Sequence, residues 1–297
     1  MEIQMFNFAY LFWLIISIGC YVGLYFLLKI FSTKTQKIVL FSLLVFAFAL
    51  NFLKGLFPPF SNNPDRYLEE IWPINICTAN ILLFPFLYLS KNKYVKDYMF
   101  YMGILSSLIA ILYPVEALEK ANQSAEYLDI IRFYIHHITI GLVPTLSILL
   151  GHHKLSYRRV FAAPIGLLLL MLFIMICQII QTELGFAPLR NDDFLNINIS
   201  NTSFIWGPKD YEMAKVLTAV CPKIFKTVPF GEFAGQEKYW PWVWMIVPVF
   251  LYVTPLAFAI SMIFDHKAFK EDVVKLFNFI RNKFNKSKTD ENTDNES

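Results

Sequence analysis

The 297-residue chain is 56% hydrophobic and 16% charged, with a mean hydropathy of +0.48. A formal net charge of +3 and four cysteines argue against a nucleic-acid partner and a disulfide-stapled scaffold. The composition is that of a membrane protein.

Seven windows of about 20 residues carry few or no charges. In chain order they are 8–28, 38–57, 71–89, 98–115, 128–150, 160–180 and 239–264. At about 1.5 Å rise per residue, each can cross a hydrocarbon core of about 30 Å. None shows the period-two alternation of barrel strands, and lipid tolerates no unpaired backbone. The expected fold is therefore all-α: a polytopic, seven-transmembrane-helix bundle in the cell membrane. The start of the chain does not read as a cleavable signal, because no basic segment precedes the first apolar run and no small-x-small site follows it.

Short loops orient the bundle. The first connection holds Lys29, Lys34 and Lys37, the third Lys91, Lys93 and Lys96, and the fifth Lys154, Arg158 and Arg159. The stretches 61–70 and 116–127 instead carry one cation each against three carboxylates. The positive-inside rule then places the N-terminus outside and the C-terminus in the cytoplasm. Trp13, Trp72, Trp206, Trp240, Trp242 and Trp244 all fall near the expected outer interface, where amphipathic rings anchor.

One membrane domain, 1–264, is expected to include a long outer loop, 181–238. Within that loop, 195–204 alternates like a short strand or irregular cap, and 210–220 reads as a surface helix. A Cys177–Cys221 bridge across the outer face is compatible with the sequence but not specified by it. Residues 265–286 follow as a cytoplasmic amphipathic helix, with Phe269, Val273, Leu276, Phe277, Ile280 and Phe284 at helical spacing among lysines. It should lie on the anionic inner leaflet, as a plain anchor or as a head-group sensor. The polar end, 287–297, reads as disordered.

The polar residues inside the spans cluster in their outer halves. Cys77 and His137 sit roughly 9 and 13 Å from the outer ends of their windows. Asn51 and Lys54 share a helix face near the outer end of the second window, and Asn75, Arg132, His136 and Gln178 lie in the same half. Ionisable groups in a span usually face the bundle interior and mark function. A thiol beside an imidazole base is a nucleophile pair, and Lys54 or Arg132 could bind a phosphate or carboxylate. Asn75 could donate to the same oxygen. The plainer readings stand beside these: Cys77 as a packing residue, Lys54 snorkelling to the interface, Arg132 paired with Asp129. His136 and His137 project about 100° apart, so only one enters a given site. No metal and no cofactor is expected, since His136-His137 and His152-His153 lie toward opposite faces without further ligands at suitable spacing. His152-His153-Lys154 reads as an ordinary cytoplasmic loop.

Five stretches carry a family resemblance. Glu70-Ile-Trp-Pro-Ile-Asn-Ile-Cys77 resembles the "LPLHLC" segment of the YwaF-like bacterial membrane proteins, and Ile111-Leu-Tyr-Pro114 their "LLTP". Arg132-Phe-Tyr-Ile-His-His137 resembles "FFISH". Asn201-Thr-Ser-Phe-Ile-Trp-Gly-Pro208 resembles "TNYMF…KP", and Tyr239-Trp-Pro-Trp-Val-Trp244 resembles "GPWPWY". The animal relatives, the transmembrane protein 164 group, are implicated in acyl transfer onto ether phospholipids through a Cys and a His. The resemblance implies His137 for the His. It places the animal Cys-His pair at Ile74-Asn75 in this chain, with Cys77 three residues on, and the bacterial motif's His at Asn75. Two readings remain: a lipid-modifying enzyme with Cys77 as nucleophile and His137 as base, or a non-catalytic transporter or binder of a lipid or small solute.

Overall fold

The computed structural model describes residues 2–118, 124, 127–185, 203–208, 212–232 and 234–294, and among them the fold is all-helical. The long helices are α1 (Phe8–Lys29), α2 (Thr33–Leu53), α5 (Lys93–Leu112), α7 (Leu128–Leu149), α8 (Ala162–Glu183) and α10 (Ile246–Asp294). Shorter ones are α3 (Pro64–Ile71), α4 (Ile76–Leu89), α6 (Val115–Leu118) and α9 (Glu212–Ala219). Polar caps start many of them. Asn7, Ser32, Asn63, Asn75 and Asn92 each accept a backbone N–H from the first turn of the helix that follows.

Among the described residues, five helical segments are long and apolar enough to cross a membrane: Phe8–Lys29, Thr33–Leu56, Lys93–Leu112, Tyr157–Glu183 and Val243–Arg281. The two remaining windows depart from a simple span for different reasons. Window 71–89 is broken, because Pro73 drives Trp72 into extended backbone at ψ 162 and ends α3. Helix resumes only at Ile76, leaving α4 with 14 residues. Window 128–150 is α7, 22 residues long but carrying Asp129, Arg132, His136 and His137.

That polar helix is the centre of the bundle. It packs on α1, α2, α4 and α5, and nearly every residue from Ile138 to Ser147 is buried. By contrast α1 buries only Ala9, Tyr10, Ser17 and Leu28 and turns Phe8, Ile15, Val22 and Phe26 outward. The α5–α7 seam is close because small residues line it. A Cβ on Gly103 would sit 2.2 Å from the Ile140 carbonyl oxygen, and one on Gly141 would sit 2.2 Å from the Tyr21 hydroxyl.

Several expectations for the appendages change. The surface helix of the long loop is there as α9, whereas 195–202 lies outside the described residues. Trp206 and Trp244 are fully buried at 0% exposure, so they are core residues rather than interface anchors. Their ring nitrogens explain the burial: Trp206 Nε1 donates to Gln178 Oε1 at 2.8 Å and Trp244 Nε1 to the Phe204 carbonyl at 2.8 Å. None of the four cysteines, Cys177 and Cys221 included, forms a disulfide.

Helix α10 has a non-helical residue at Asp265, φ −129 and ψ 19. Its carboxylate accepts from Ser156 Oγ at 3.0 Å and from the Tyr157 N–H at 3.1 Å. Past this kink Phe269 packs on Tyr157 and Phe258, and Arg158 Nε donates to Asp272 at 2.7 Å. Val273, Leu276, Phe277 and Ile280 remain exposed. Helical backbone continues to Asp294, beyond the expected start of disorder at 287, and no Gly or Pro between 265 and 294 interrupts it.

The close seam makes a stability prediction. Gly103→Ala should lower the melting midpoint of the detergent-solubilised protein, by an overpacking cost of about 1–3 kcal/mol. Gly19→Ala meets nothing within 4 Å and should leave the midpoint unchanged or raise it. Equal behaviour of the two variants would refute the tight seam.

Candidate functional site

The expected polar residues gather around Phe60, an aromatic ring in the turn between α2 and α3 that is 2% exposed. Lys54 Nζ stands 4.7 Å from the ring centroid, with Arg66 at 5.3 Å and Arg132 at 5.9 Å. Three cations thus share one ring face system, an arrangement that favours Phe60 energetically through its quadrupole but needs counter-charge to be stable. Glu70 and Asp129 supply it. Arg66 Nε donates to Glu70 Oε1 at 2.8 Å, and Arg132 Nε and Nη2 donate to Asp129 Oδ1 at 3.0 and 2.6 Å.

Lys54 is not snorkelling. Its side chain is buried, and Nζ donates to the Glu70 carbonyl at 2.8 Å with Glu70 Oε2 at 3.8 Å. Asn51, one turn earlier on α2, donates from Nδ2 to the Ile71 carbonyl at 3.0 Å. Both side chains therefore satisfy the carbonyls that α3 leaves open where Pro73 ends it. They fasten the broken helix to α2.

On α7 the two histidines have different partners. Arg132 Nη1 lies 3.3 Å from His136 Nδ1, while His136 Nε2 is buried without a hydrogen-bond partner among the described residues. His137 Nδ1 is 2.8 Å from the Phe133 carbonyl. A carbonyl can only accept, so Nδ1 is the ring nitrogen that donates to it. The ring also packs on Phe133, 4.2 Å between centroids.

Three more expected residues are placed by the same structure. Asn75 Oδ1 accepts from the Thr78 N–H at 2.8 Å, which commits it as the cap of α4. Cys77 follows in the first turn of that helix, half-buried. Gln178 sits apart on α8, where its Oε1 holds Trp206.

A cavity of about 220 Å³ opens beside this cluster. Leu50, Leu53, Phe57, Ile131 and Ile135 form apolar walls, and Lys54, Asp129 and Arg132 supply the polar groups. Cys77 and His137 do not line it. Apolar walls with a charged end suit an amphiphile. Phe60 and Glu70 were not singled out by sequence reasoning: the Arg66–Glu70 spacing of four was readable, whereas nothing local marked Phe60 as the ring the cations would share. Among the described residues, no group of three or more His, Cys, Asp and Glu side chains gathers as a metal site would require.

The family model described as the TMEM164 family matches residues 5–208. The chain belongs to the TMEM164 family. No curated protein and no solved structure matches it. The TMEM164 match takes in α1 to α8 and all eight candidate residues, so the Phe60 cluster, Cys77 and His137 lie within the shared region. It ends before Tyr239–Trp244, the last of the five resembling stretches.

The Arg132–Asp129 pair allows a direct test. Arg132→Leu removes the guanidinium that donates to a carboxylate only 1% exposed and should lower stability in detergent unfolding, by at most the roughly 3–5 kcal/mol that an uncompensated buried charge costs. Adding Asp129→Asn should recover most of that loss. A double variant no more stable than the single one would refute the pairing as the cause.

Proposed function

We propose that this TMEM164-family protein is a seven-span cell-membrane enzyme that transfers lipid acyl groups from its outer half, with Cys77 as nucleophile and His137 as base. The observation that carries the reading is axial register. Tyr88 of α4 and Ser147 of α7 line one cavity, and the two helices pack together. Counting back eleven residues to Cys77 and ten to His137 gives about 16 and 15 Å along helices running the same way. The similar counts support placing thiol and imidazole at comparable depth. The Phe133 carbonyl leaves His137 Nε2 as the acceptor nitrogen a base needs, and Cys77 sits where the open amides of a helix start favour negative charge.

The chemistry balances without a cofactor. His137 Nε2 takes the Cys77 proton as Sγ attacks the ester carbonyl of a donor phospholipid. Collapse expels the glycerol alkoxide, which recovers the proton from His137, and leaves an acyl thioester. The hydroxyl of an acceptor lysolipid then attacks the thioester carbonyl, giving its proton to His137, which returns it to the departing thiolate. The amphiphilic cavity beside Lys54 and Arg132 suits the lipid, with the cations facing its phosphate.

Incubation with a phospholipid bearing an alkyne-tagged acyl chain tests this. A hydroxylamine-sensitive label is expected on the wild type and absent from Cys77→Ser, with turnover in His137→Gln reduced about 100-fold or more. His136→Gln should retain the label. The second reading, a non-catalytic lipid or solute binder, is favoured by the absence of Cys77 and His137 from the lining of the cavity. Full function in Cys77→Ala would establish that reading and remove the enzyme.

The same proposal sets the N-terminus outside and the C-terminus in the cytoplasm, with the tail helix on the inner leaflet. An impermeant maleimide on intact cells should label a cysteine placed at Ser61 above the unsubstituted background, but not one at Lys91 or Lys275. Labelling at Lys91 would reverse the orientation.

A further inference from the structure

The opposite end of the bundle holds a larger and differently charged cavity. It measures about 620 Å³ and is lined by Lys37 from α2, Lys91, Lys93 and Lys96 from the turn into α5, and Lys154 from the loop after α7. Its two arginines and His153 already have carboxylate partners. Arg159 and His153 share Asp97, which is fully buried, at 2.6 and 2.5 Å, and Arg158 pairs with Asp272. The single carboxylate in the lining, Asp265, accepts from Ser156 and Tyr157.

The five lysines have no such partner. None is paired with a carboxylate among the described residues; Lys96 Nζ donates to the Tyr88 carbonyl and stands 4.3 Å from the centre of the Tyr88 ring. Lys93 and Lys96 also fall in the first four residues of α5, where the helix dipole is already positive; the first acidic residue of that helix, Asp97, is held by Arg159 and His153. His152, on the cavity wall, has a buried Nε2 without a partner. Burial and the charge of Lys37 hold its imidazole below the usual histidine range, so it stays neutral and keeps from adding to the surplus. Lysines scattered over a loop would satisfy the positive-inside rule equally well. Here three separate elements bring them to one concavity large enough for a small ligand.

We propose that this lysine-rich cavity is a binding site for a terminal phosphate group, carried by a lipid head group or by a soluble compound. Lysine ammoniums are compact charges suited to a phosphate dianion, and the start of α5 adds the field of a helix N-terminus. The site is separate from Cys77 and the Phe60 cluster and does not depend on the acyl-transfer reading.

The test uses the full-length protein. Native mass spectrometry from nanodiscs of phosphatidylcholine with phosphatidic acid reads lipid retention, and calorimetry with inorganic pyrophosphate in detergent reads soluble phosphate. Lys37→Gln/Lys91→Gln/Lys96→Gln should weaken whichever probe binds by at least about tenfold. Lys267→Gln/Lys270→Gln/Lys275→Gln, on the tail helix, should change it less than about twofold. His152→Glu, which puts a carboxylate in the cavity, should have the effect of the first variant and serves if that variant does not fold. Retention of phosphatidic acid alone assigns a head group; pyrophosphate binding assigns a soluble phosphate. Binding of neither probe, or binding unchanged in both cavity variants, overturns the site.

Discussion

A helix carrying Asp129, Arg132, His136 and His137 cannot face hydrocarbon, and the arrangement of its neighbours follows from that constraint. α1, α2, α4 and α5 surround α7, so the polar side chains are shielded by protein and the outer helices turn their large apolar residues outward. Shielding at close range requires small residues where helices meet, hence Gly103 and Gly141 on the α5–α7 seam. Burial alone would leave the charges costly. Asp129 offsets Arg132, and the ring of Phe60 accepts three cations at once.

The two ends of the bundle handle charge differently. Around Phe60, cations and carboxylates are nearly matched, and Lys54 and Asn51 turn inward to satisfy the carbonyls of Glu70 and Ile71. At the other end Asp97 matches only Arg159 and His153, and the lysines remain in excess. A matched cluster is rigid and discriminates by shape; an unmatched one draws anions. The Phe60 cavity accordingly has mostly apolar walls, whereas lysines dominate the larger one.

Much of this was legible in the sequence, and the failures have physical causes. Helical windows are one-dimensional features, so their lengths and apolarity were readable, as was the helix at Glu212–Ala219. The break at Trp72-Pro73 was readable too, in the proline, but an apolar window hides it. Trp206 and Trp244 read as interface anchors because position along the chain says nothing about packing; their burial depends on Gln178 and Phe204, distant in sequence. His153 read as a loop residue because Asp97, its partner, lies 56 positions away. Phe60 carried no local signal at all.

The departures at Ile74 and Asn75 bear on where chemistry could reside. The resemblance gives position 75 to a histidine, yet in this chain its side-chain oxygen holds the first turn of α4. Asparagine is among the best residues for that role, and Nδ2 is its remaining side-chain donor. A cap is needed here because Pro73 has ended α3 and α4 must begin anew inside the bundle. Position 75 thus fixes where α4 begins, and with it the place of Cys77 in its first turn. On this reading Asn75 positions the thiol rather than touching substrate, and proton transfer falls to His137, whose Nδ1 is already committed to the Phe133 carbonyl.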